Sequence, residues 1–188
     1  LQLILRFNAL SYAGWTWQAF KPSKDFRPDL YPERGWIVSR GIGDDTLKIP
    51  ATEIDNPYDI LRMLKIPEGG VVGIEEVQLL DDRKGIVQVI DELIWRGHPV
   101  VVAGLDKNYR GQPFDPMGEL MARATSVRKY FSACEFEDTG RKCGRVAEYT
   151  QRFTNDQPSH FDEPEIIVGT QAYSPRCLRH LIVPGKPR

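Results

Sequence analysis

The feature that most constrains the fold is an alternation of buried-type strands with helices between residues 69 and 124. The runs GGVVGI (69–74) and PVVVAGL (99–105) are short and apolar, which is typical of strands buried on both faces. Between them, apolar residues recur at helical spacing at Ile86, Val89, Ile90, Leu93 and Ile94. A second helix is predicted over DPMGELMARA (115–124). Strands that alternate with helices indicate βαβ units and therefore a parallel sheet.

The flanking segments extend this pattern. A helix is predicted over residues 1–14, closed by Gly14, and a strand over WTWQAFKP (15–22). The stretch 23–50 is expected to be irregular with one or two short strands, and DNPYDILRML (55–64) predicts a further helix. From Tyr130 onward the pieces are short and strand-like, which favours a small β-rich module.

Composition limits the function classes. A chain of 188 residues suits one domain, or one domain with a small appendage. The net charge of −1 argues against a general nucleic-acid-binding surface, and no apolar run approaches the roughly 20 residues of a membrane span. Three cysteines are a poor disulfide framework, so thiols or a metal site in a reducing compartment fit better. We therefore expect a cytoplasmic protein without nucleic-acid or membrane partners.

Acidic residues follow both buried strands. Glu75 and Glu76 come directly after the first strand, and Asp106 follows the second. Ligands of open parallel sheets bind outside the carboxyl ends of the strands, and phosphoryl-transfer folds place a carboxylate there beside Mg²⁺. A second carboxylate could accept a proton from an attacking hydroxyl. The alternative is that the strand stops at Ile74 and the acids begin a solvated loop.

A phosphate-binding loop of the pattern G-x-x-x-x-G-K-[ST] should accompany such a site, and the 188 residues contain none. The single Gly-Lys pair, Gly185–Lys186, is followed by Pro187 and cannot open a helix. Because the first predicted helix is already under way at Leu1, we expect this loop upstream of Leu1, so that the chain alone would lack activity. Evolutionary loss of the loop would leave the same sequence.

The cysteines suggest a zinc site. Cys177 and His180 have the C-x₂-H spacing of half a tetrahedral site, and Cys134 and Cys143 would form the other half across eight intervening residues. The alternative is that three thiols are small buried hydrophobes. His98 and His160 are expected to be ordinary turn residues.

The chain resembles the thymidine kinases of the cytosolic, zinc-containing type found in bacteria, animals and some viruses. The resemblance rests on NALSYAGWTWQAFKPSKDFR (8–27), IEEVQLLDD (74–82), GLDKNYRGQPFDPMGELMARA (104–124), CGRVAEYTQRF (143–153) and EPEIIVGTQAYSPRCLRH (163–180). These segments cover almost the whole chain in the expected order.

The resemblance implies specific roles at the catalytic end. Glu76 matches the general base that takes the proton from the nucleoside 5′-hydroxyl. Glu75 matches the acid near Mg²⁺, where the family usually has Asp, and Gln78 falls in the same nucleotide-contacting run. Asp25 and Arg27 match an Asp-x-Arg near the phosphates and the sugar.

The resemblance also implies a thymine pocket and a closing loop. A "lasso" over residues 153–169 would close on the base mainly through main-chain hydrogen bonds. The residues assigned to the pocket are Leu105, Tyr109, Phe114, Ile166, Gly169 and Tyr173. The zinc ligands would be Cys134, Cys143, Cys177 and His180, with EFEDTGRK (135–142) as an inserted loop.

The expected protein is an α/β kinase with a P-loop-type parallel sheet flanked by helices (residues 1–129) and a small C-terminal β-rich zinc and lasso module (residues 130–188). It would transfer the γ-phosphoryl group of ATP, with Mg²⁺, to thymidine or deoxyuridine, and would carry structural Zn²⁺. The family resemblance implies a homotetramer. The alternatives are a non-catalytic, zinc-stabilised nucleoside-binding or regulatory relative and a gene fragment that does not fold alone.

Overall fold

The structure, a computed structural model, describes residues 1–26, 32–39, 47–167 and 172–187. Arg27 and Gly169, both predicted site residues, lie outside the described residues. None of the helices within the described ranges is long and apolar enough to cross a membrane.

The chain forms two compact units. The first comprises Leu1–Gly104 with Asp115–Glu119, and the second comprises Leu105–Phe114 with Leu120–Arg188. The predicted domain boundary at residue 129 stays a prediction.

The first unit contains most of the helical structure. Its elements, in chain order, are α1 (Gln2–Tyr12), β1 (Trp17–Pro22), β2 (Trp36–Val38), β3 (Lys48–Pro50), β4 (Thr52–Ile54), α2 (Asp59–Met63), β5 (Val71–Ile74), a 3₁₀ turn (Val77–Leu79), α3 (Gly85–Trp95) and β6 (Val100–Val102). Helix α4 (Met117–Arg123) begins in this unit and ends in the second.

A four-stranded parallel sheet organises the first unit, in the order β4-β1-β5-β6. This confirms the predicted mixed α/β fold with a parallel sheet flanked by helices. Strand β5 is buried throughout, as its apolar run predicts, whereas β6, the last strand of this sheet within the described residues, is only half-buried. Strand β4 pairs with β1 from a segment that the sequence pattern did not assign to a strand.

Helix α1 packs against this sheet through Leu3, Ile4 and Phe7, which belong to one buried cluster. The Phe7 ring lies so close to β5 that a Cβ added at Gly73 would come within 2.5 Å of Phe7 Cζ. The helix ends at Tyr12, and Gly14 follows it as the predicted closing glycine, with φ of 76° in the left-handed region that glycine tolerates best. The close packing of the Phe7 ring on β5 therefore requires glycine at position 73.

The second unit is built from short antiparallel strands, as predicted for the region after Tyr130. Its elements are β7 (Ser132–Ala133), β8 (Glu137–Asp138), β9 (Arg141–Lys142), β10 (Val146–Ala147), β11 (Tyr149–Thr154), β12 (Gln157–Pro158), β13 (Ala172–Arg176) and a 3₁₀ turn (Leu178–His180). Strands β12-β11-β13 form one sheet, β10 pairs with β7, and β8 with β9 forms a hairpin.

Candidate active site and metal centre

The carboxylates of Glu75, Glu76 and Asp25 form an electrostatically interacting cluster at the carboxyl end of the parallel sheet. Glu75 continues β5, since its backbone N–H donates to the Phe20 carbonyl of β1 at 3.0 Å. Burial, then the neighbouring charges of Glu76 and Asp25, raise the pKa of Glu75 from 4.5 to about 8. The charge of Lys21 opposes this rise. Glu75 is thus a half-buried acid among like charges, and a divalent cation would offset the repulsion between them.

Glu76 is held in an unusual backbone conformation. Its φ of 48° lies in the left-handed region, which a non-glycine residue seldom adopts, and the 3₁₀ turn Val77–Leu79 follows directly. The side-chain amide of Gln78 donates to the Glu76 carboxylate. The backbone bend and this hydrogen bond together fix the direction of the Glu76 side chain.

Gln78 itself is almost completely buried. Its Oε1 has no hydrogen-bond partner within the described residues. A Cβ added at Gly104, just after β6, would come within 2.4 Å of this oxygen. Only a glycine at position 104 leaves room for the Gln78 amide that orients Glu76.

Lys21 and Asp25 form the side of the cluster contributed by β1. Lys21 is buried, and its Nζ donates to the carbonyl oxygens of Asp25 at 2.6 Å and Trp36 at 3.2 Å. The same Nζ lies 3.5 Å from the Asp25 carboxylate. This buried ammonium partly balances the carboxylates, and sequence reasoning missed it. A lysine within the otherwise uncharged strand WQAFKP was the available signal.

Asp106, the acid after the second buried strand, has a local ion pair in the second unit. Its Oδ2 accepts a hydrogen bond from Lys129 Nζ at 2.9 Å. This bond raises the pKa of Lys129. The described contacts therefore give Asp106 a structural partner.

The predicted pocket residues fall in two parts of the second unit: loop 105–114, and the closing segment, which we define as residues 159–167. In loop 105–114, Leu105 is 45% exposed, whereas Tyr109 and Phe114 are buried. The Tyr109 hydroxyl lies 2.9 Å from the His160 and Glu163 carbonyl oxygens.

Two further contacts involve the closing segment. Asn108 Nδ2 donates to the Glu165 carboxylate at 2.7 Å. Tyr173, on β13, donates from its hydroxyl to the Ile167 carbonyl at 3.0 Å. Ile166, the neighbour of Ile167, is half-buried. The structure thus brings loop 105–114, β13 and the closing segment together.

The four predicted zinc ligands converge. The ligand atoms of Cys134, Cys143, Cys177 and His180 lie within 4.8 Å of one another. His180 Nδ1 is 3.5 Å from Cys134 Sγ and 3.6 Å from Cys177 Sγ. A tetrahedral zinc ion with bonds of about 2.0–2.3 Å separates its ligand atoms by roughly 3.5–3.8 Å, so this donor set fits the ion.

The eight residues between Cys134 and Cys143 do not prevent this convergence because they form the β8–β9 hairpin. The Cys143 N–H donates to the Phe136 carbonyl at 2.8 Å, and the Gly144 N–H donates to the Cys134 carbonyl at 3.0 Å. These two hydrogen bonds close the base of the β8–β9 hairpin, where both thiols lie.

The environment favours a thiolate at Cys134. Burial alone would raise its pKa, but hydrogen bonds from the backbone N–H groups of Cys177 and Phe136 and from the His180 side chain lower it to about 6. Thiolates are the form of cysteine that binds metals. The cluster can therefore hold zinc through four protein ligands, which leaves no open coordination position.

The protein-family model described as thymidine kinase matches residues 2–181, which is almost the entire chain.

Proposed function

The chain belongs to the thymidine kinase family, and we propose that it transfers the γ-phosphoryl group of ATP to the 5′-hydroxyl of thymidine or deoxyuridine. The observation that carries the proposal is the carboxylate cluster at the carboxyl end of β5. It combines Glu75, a half-buried acid whose pKa is raised, with Glu76, whose side chain is oriented by Gln78. This arrangement suits phosphoryl transfer, in which catalysis depends on positioning and on charge stabilisation.

Glu76 is proposed as the general base. It would accept the proton of the 5′-hydroxyl as the oxygen attacks the γ-phosphorus. A base must present one carboxylate oxygen in a fixed direction, and the hydrogen bond from Gln78 supports this by holding the other side of the carboxylate. Gln78 is proposed to serve Glu76 in this way, within the nucleotide-contacting run.

Glu75 and Asp25 are proposed to hold the Mg²⁺ that accompanies ATP. Mg²⁺ takes oxygen ligands and usually binds through one or two carboxylates plus substrate phosphates, where it neutralises charge that develops during transfer. Ionising Glu75 at neutral pH requires compensation for the nearby negative charge, and a divalent cation supplies it. Arg27 is proposed to contact the phosphates and the sugar beside Asp25.

The thymine pocket is proposed to be walled by Leu105, Tyr109 and Phe114, with Ile166, Gly169 and Tyr173 on its closing side. Hydrogen bonds from main-chain groups of the lasso would read the pyrimidine edges. A site built from fixed donors and acceptors excludes bases that leave those groups unpaired. Purine nucleosides are therefore expected to be poor substrates.

The cysteine and histidine cluster is proposed to bind one structural Zn²⁺. A closed site gives no position for a catalytic water, so the ion would act by stabilising the second unit. Cytoplasmic location and assembly as a homotetramer are proposed on the family resemblance.

Removing the carboxylate of Glu76 tests the function. In protein expressed from its complete gene, Glu76→Gln should lower kcat for thymidine by about 10²–10⁴-fold while the thymidine Kd stays unchanged. Glu92→Gln is the matched control, since Glu92 is bonded to Arg96 on α3. Near-normal turnover of Glu76→Gln would refute the base. A wild-type protein that binds thymidine without phosphorylating it would instead identify a non-catalytic relative.

A further inference from the structure

Arg152, on β11, is the largest fully buried side chain among the described residues. A guanidinium group loses strong hydration on burial, so it is retained in an interior only where its N–H groups find partners. The role of Arg152 can therefore be inferred from what it bonds.

Its partners lie in the closing segment. Nε donates to Ser159 Oγ at 3.1 Å, and Nη1 donates to the Pro164 carbonyl at 2.7 Å. Nη2 donates to Glu163 Oε2 at 3.3 Å. The closing segment contains no helix or strand, so its backbone lacks a regular hydrogen-bond ladder. One planar side chain thus replaces that ladder by bonding three points of the segment.

Glu163 is the anionic partner in this arrangement. The Thr154 hydroxyl donates to its carboxylate at 2.7 Å, and so does the backbone N–H of His160, also at 2.7 Å. The hydrogen bond from Thr154, followed by that from His160 and the charge of Arg152, lowers the pKa of Glu163. The carboxylate is therefore well satisfied as an anion beside the guanidinium.

Tyr109 connects this arrangement to loop 105–114. Arg152 Cζ lies 3.6 Å from the centroid of the Tyr109 ring, within the range of a cation–π contact. From the same loop, Arg110 Nη2 donates to the Glu163 carbonyl at 2.6 Å. Tyr109 is itself buried and its hydroxyl is bonded to the closing segment, so it links that segment to loop 105–114.

We propose that Arg152 and Tyr109 are positioning residues that hold the closing segment against loop 105–114 in the shape that receives the nucleoside base. This inference rests on the proposed function for the identity of the base. If only a fraction of the molecules holds the segment in this shape, the apparent Kd for thymidine rises in inverse proportion to that fraction.

The test compares Arg152→Lys with the wild-type chain, because lysine keeps the charge but cannot bond three points in one plane. Hydrogen exchange is measured at residues 159–167 and, separately, in strands β11 and β13. We expect Arg152→Lys to leave the segment closed in only about a tenth of the molecules, so that its amides exchange almost as fast as unprotected ones while exchange in the strands is unchanged. The thymidine Kd should then rise about tenfold. Arg128→Lys, an exposed arginine of the same unit, is the control and should change neither quantity.

A steady-state assay on protein from the complete gene adds a kinetic readout. Arg152→Lys should raise KM for thymidine about tenfold and leave both kcat at saturating thymidine and KM for ATP unchanged. A substitution that only loosened the fold would not separate the two substrates in this way.

The outcomes distinguish this inference from the proposed function. Exchange within twofold of wild type overturns the positioning role, and so does near-complete loss of protection with an unchanged Kd. If Arg152→Lys also loses protection in the strands, the same measurements on Glu163→Gln decide. Glu163 is the anionic partner of Arg152 and is already partly exposed, so its substitution removes the ion pair without changing a fully buried side chain. A wild-type chain that binds no thymidine refutes the proposed function. Hydrogen exchange then still tests whether Arg152 holds the closing segment in place.

Discussion

Replacing Glu75 by glutamine tests the electrostatics of the carboxylate cluster without depending on activity. The folded state raises the pKa of Glu75 from 4.5 to about 8, chiefly through burial and then through Glu76 and Asp25. The folded chain therefore binds more protons than the unfolded chain between these two pH values. Stability contributed by this proton is present below about pH 4.5 and is lost as pH rises through about 8.

The magnitude follows from the size of the pKa change. At about 1.4 kcal/mol for each pH unit, ionising Glu75 costs the folded state at most about 5 kcal/mol above pH 8. Water penetration and relaxation reduce this cost, so we expect Glu75→Gln to be more stable than wild type by about 2–4 kcal/mol at pH 8.5. At pH 5 the two proteins should differ by less than about 1 kcal/mol, because folded Glu75 is then neutral.

Urea unfolding at pH 5 and pH 8.5, with zinc retained and no added Mg²⁺, measures the difference. The four tryptophans, Trp15, Trp17, Trp36 and Trp95, all lie in the first unit, so their fluorescence reports on the part of the chain that contains Glu75. Glu92→Gln controls for removal of a carboxylate elsewhere in this unit. A stability difference that is the same at both pH values would refute the reasoning.

Three further predictions concern the neighbouring features. Gly104→Ala should displace the Gln78 amide, because the added Cβ would lie 2.4 Å from Gln78 Oε1. We expect the free energy of unfolding in urea to fall by about 1–3 kcal/mol and kcat to fall about tenfold. Unchanged values of both would contradict this prediction. Cys143→Ser should reduce zinc from about one ion per chain to nearly none by elemental analysis, whereas His160→Gln should retain it. Mg²⁺ affinity, measured by calorimetry, should rise with pH up to about 8 and be accompanied by proton release from Glu75; a flat profile between pH 6 and pH 8 would exclude Glu75 as a ligand.

The parallel sheet was predictable because its evidence is local. The runs that become β5 and β6 and the helical spacing of α3 each indicate their own element, and their alternation specifies parallel pairing. Strand β4 has only three residues and no distinctive apolar pattern, so only its pairing with β1 identifies it. The place of β6 beside β5 likewise depends on strand order, which the run of valines does not reveal.

The site was predictable to a different extent. The ligand types and the C-x₂-H spacing suggested zinc, but convergence of Cys134 and Cys143 depends on a hairpin that spacing alone does not specify. Arg152 was missed because an arginine in a polar stretch is ordinarily exposed, and its burial depends on partners that follow β12. Contacts between distant segments leave little trace in local sequence patterns.

The most direct test of the central claim is product formation across a panel of nucleosides. Protein expressed from its complete gene is incubated with Mg²⁺, ATP and thymidine, deoxyuridine, deoxycytidine or deoxyadenosine, and the 5′-monophosphates are quantified by mass spectrometry. The account predicts monophosphates of thymidine and deoxyuridine, little or none from deoxyadenosine, and loss of product in Glu76→Gln. Absence of thymidine monophosphate, or equal phosphorylation of deoxyadenosine, would contradict it.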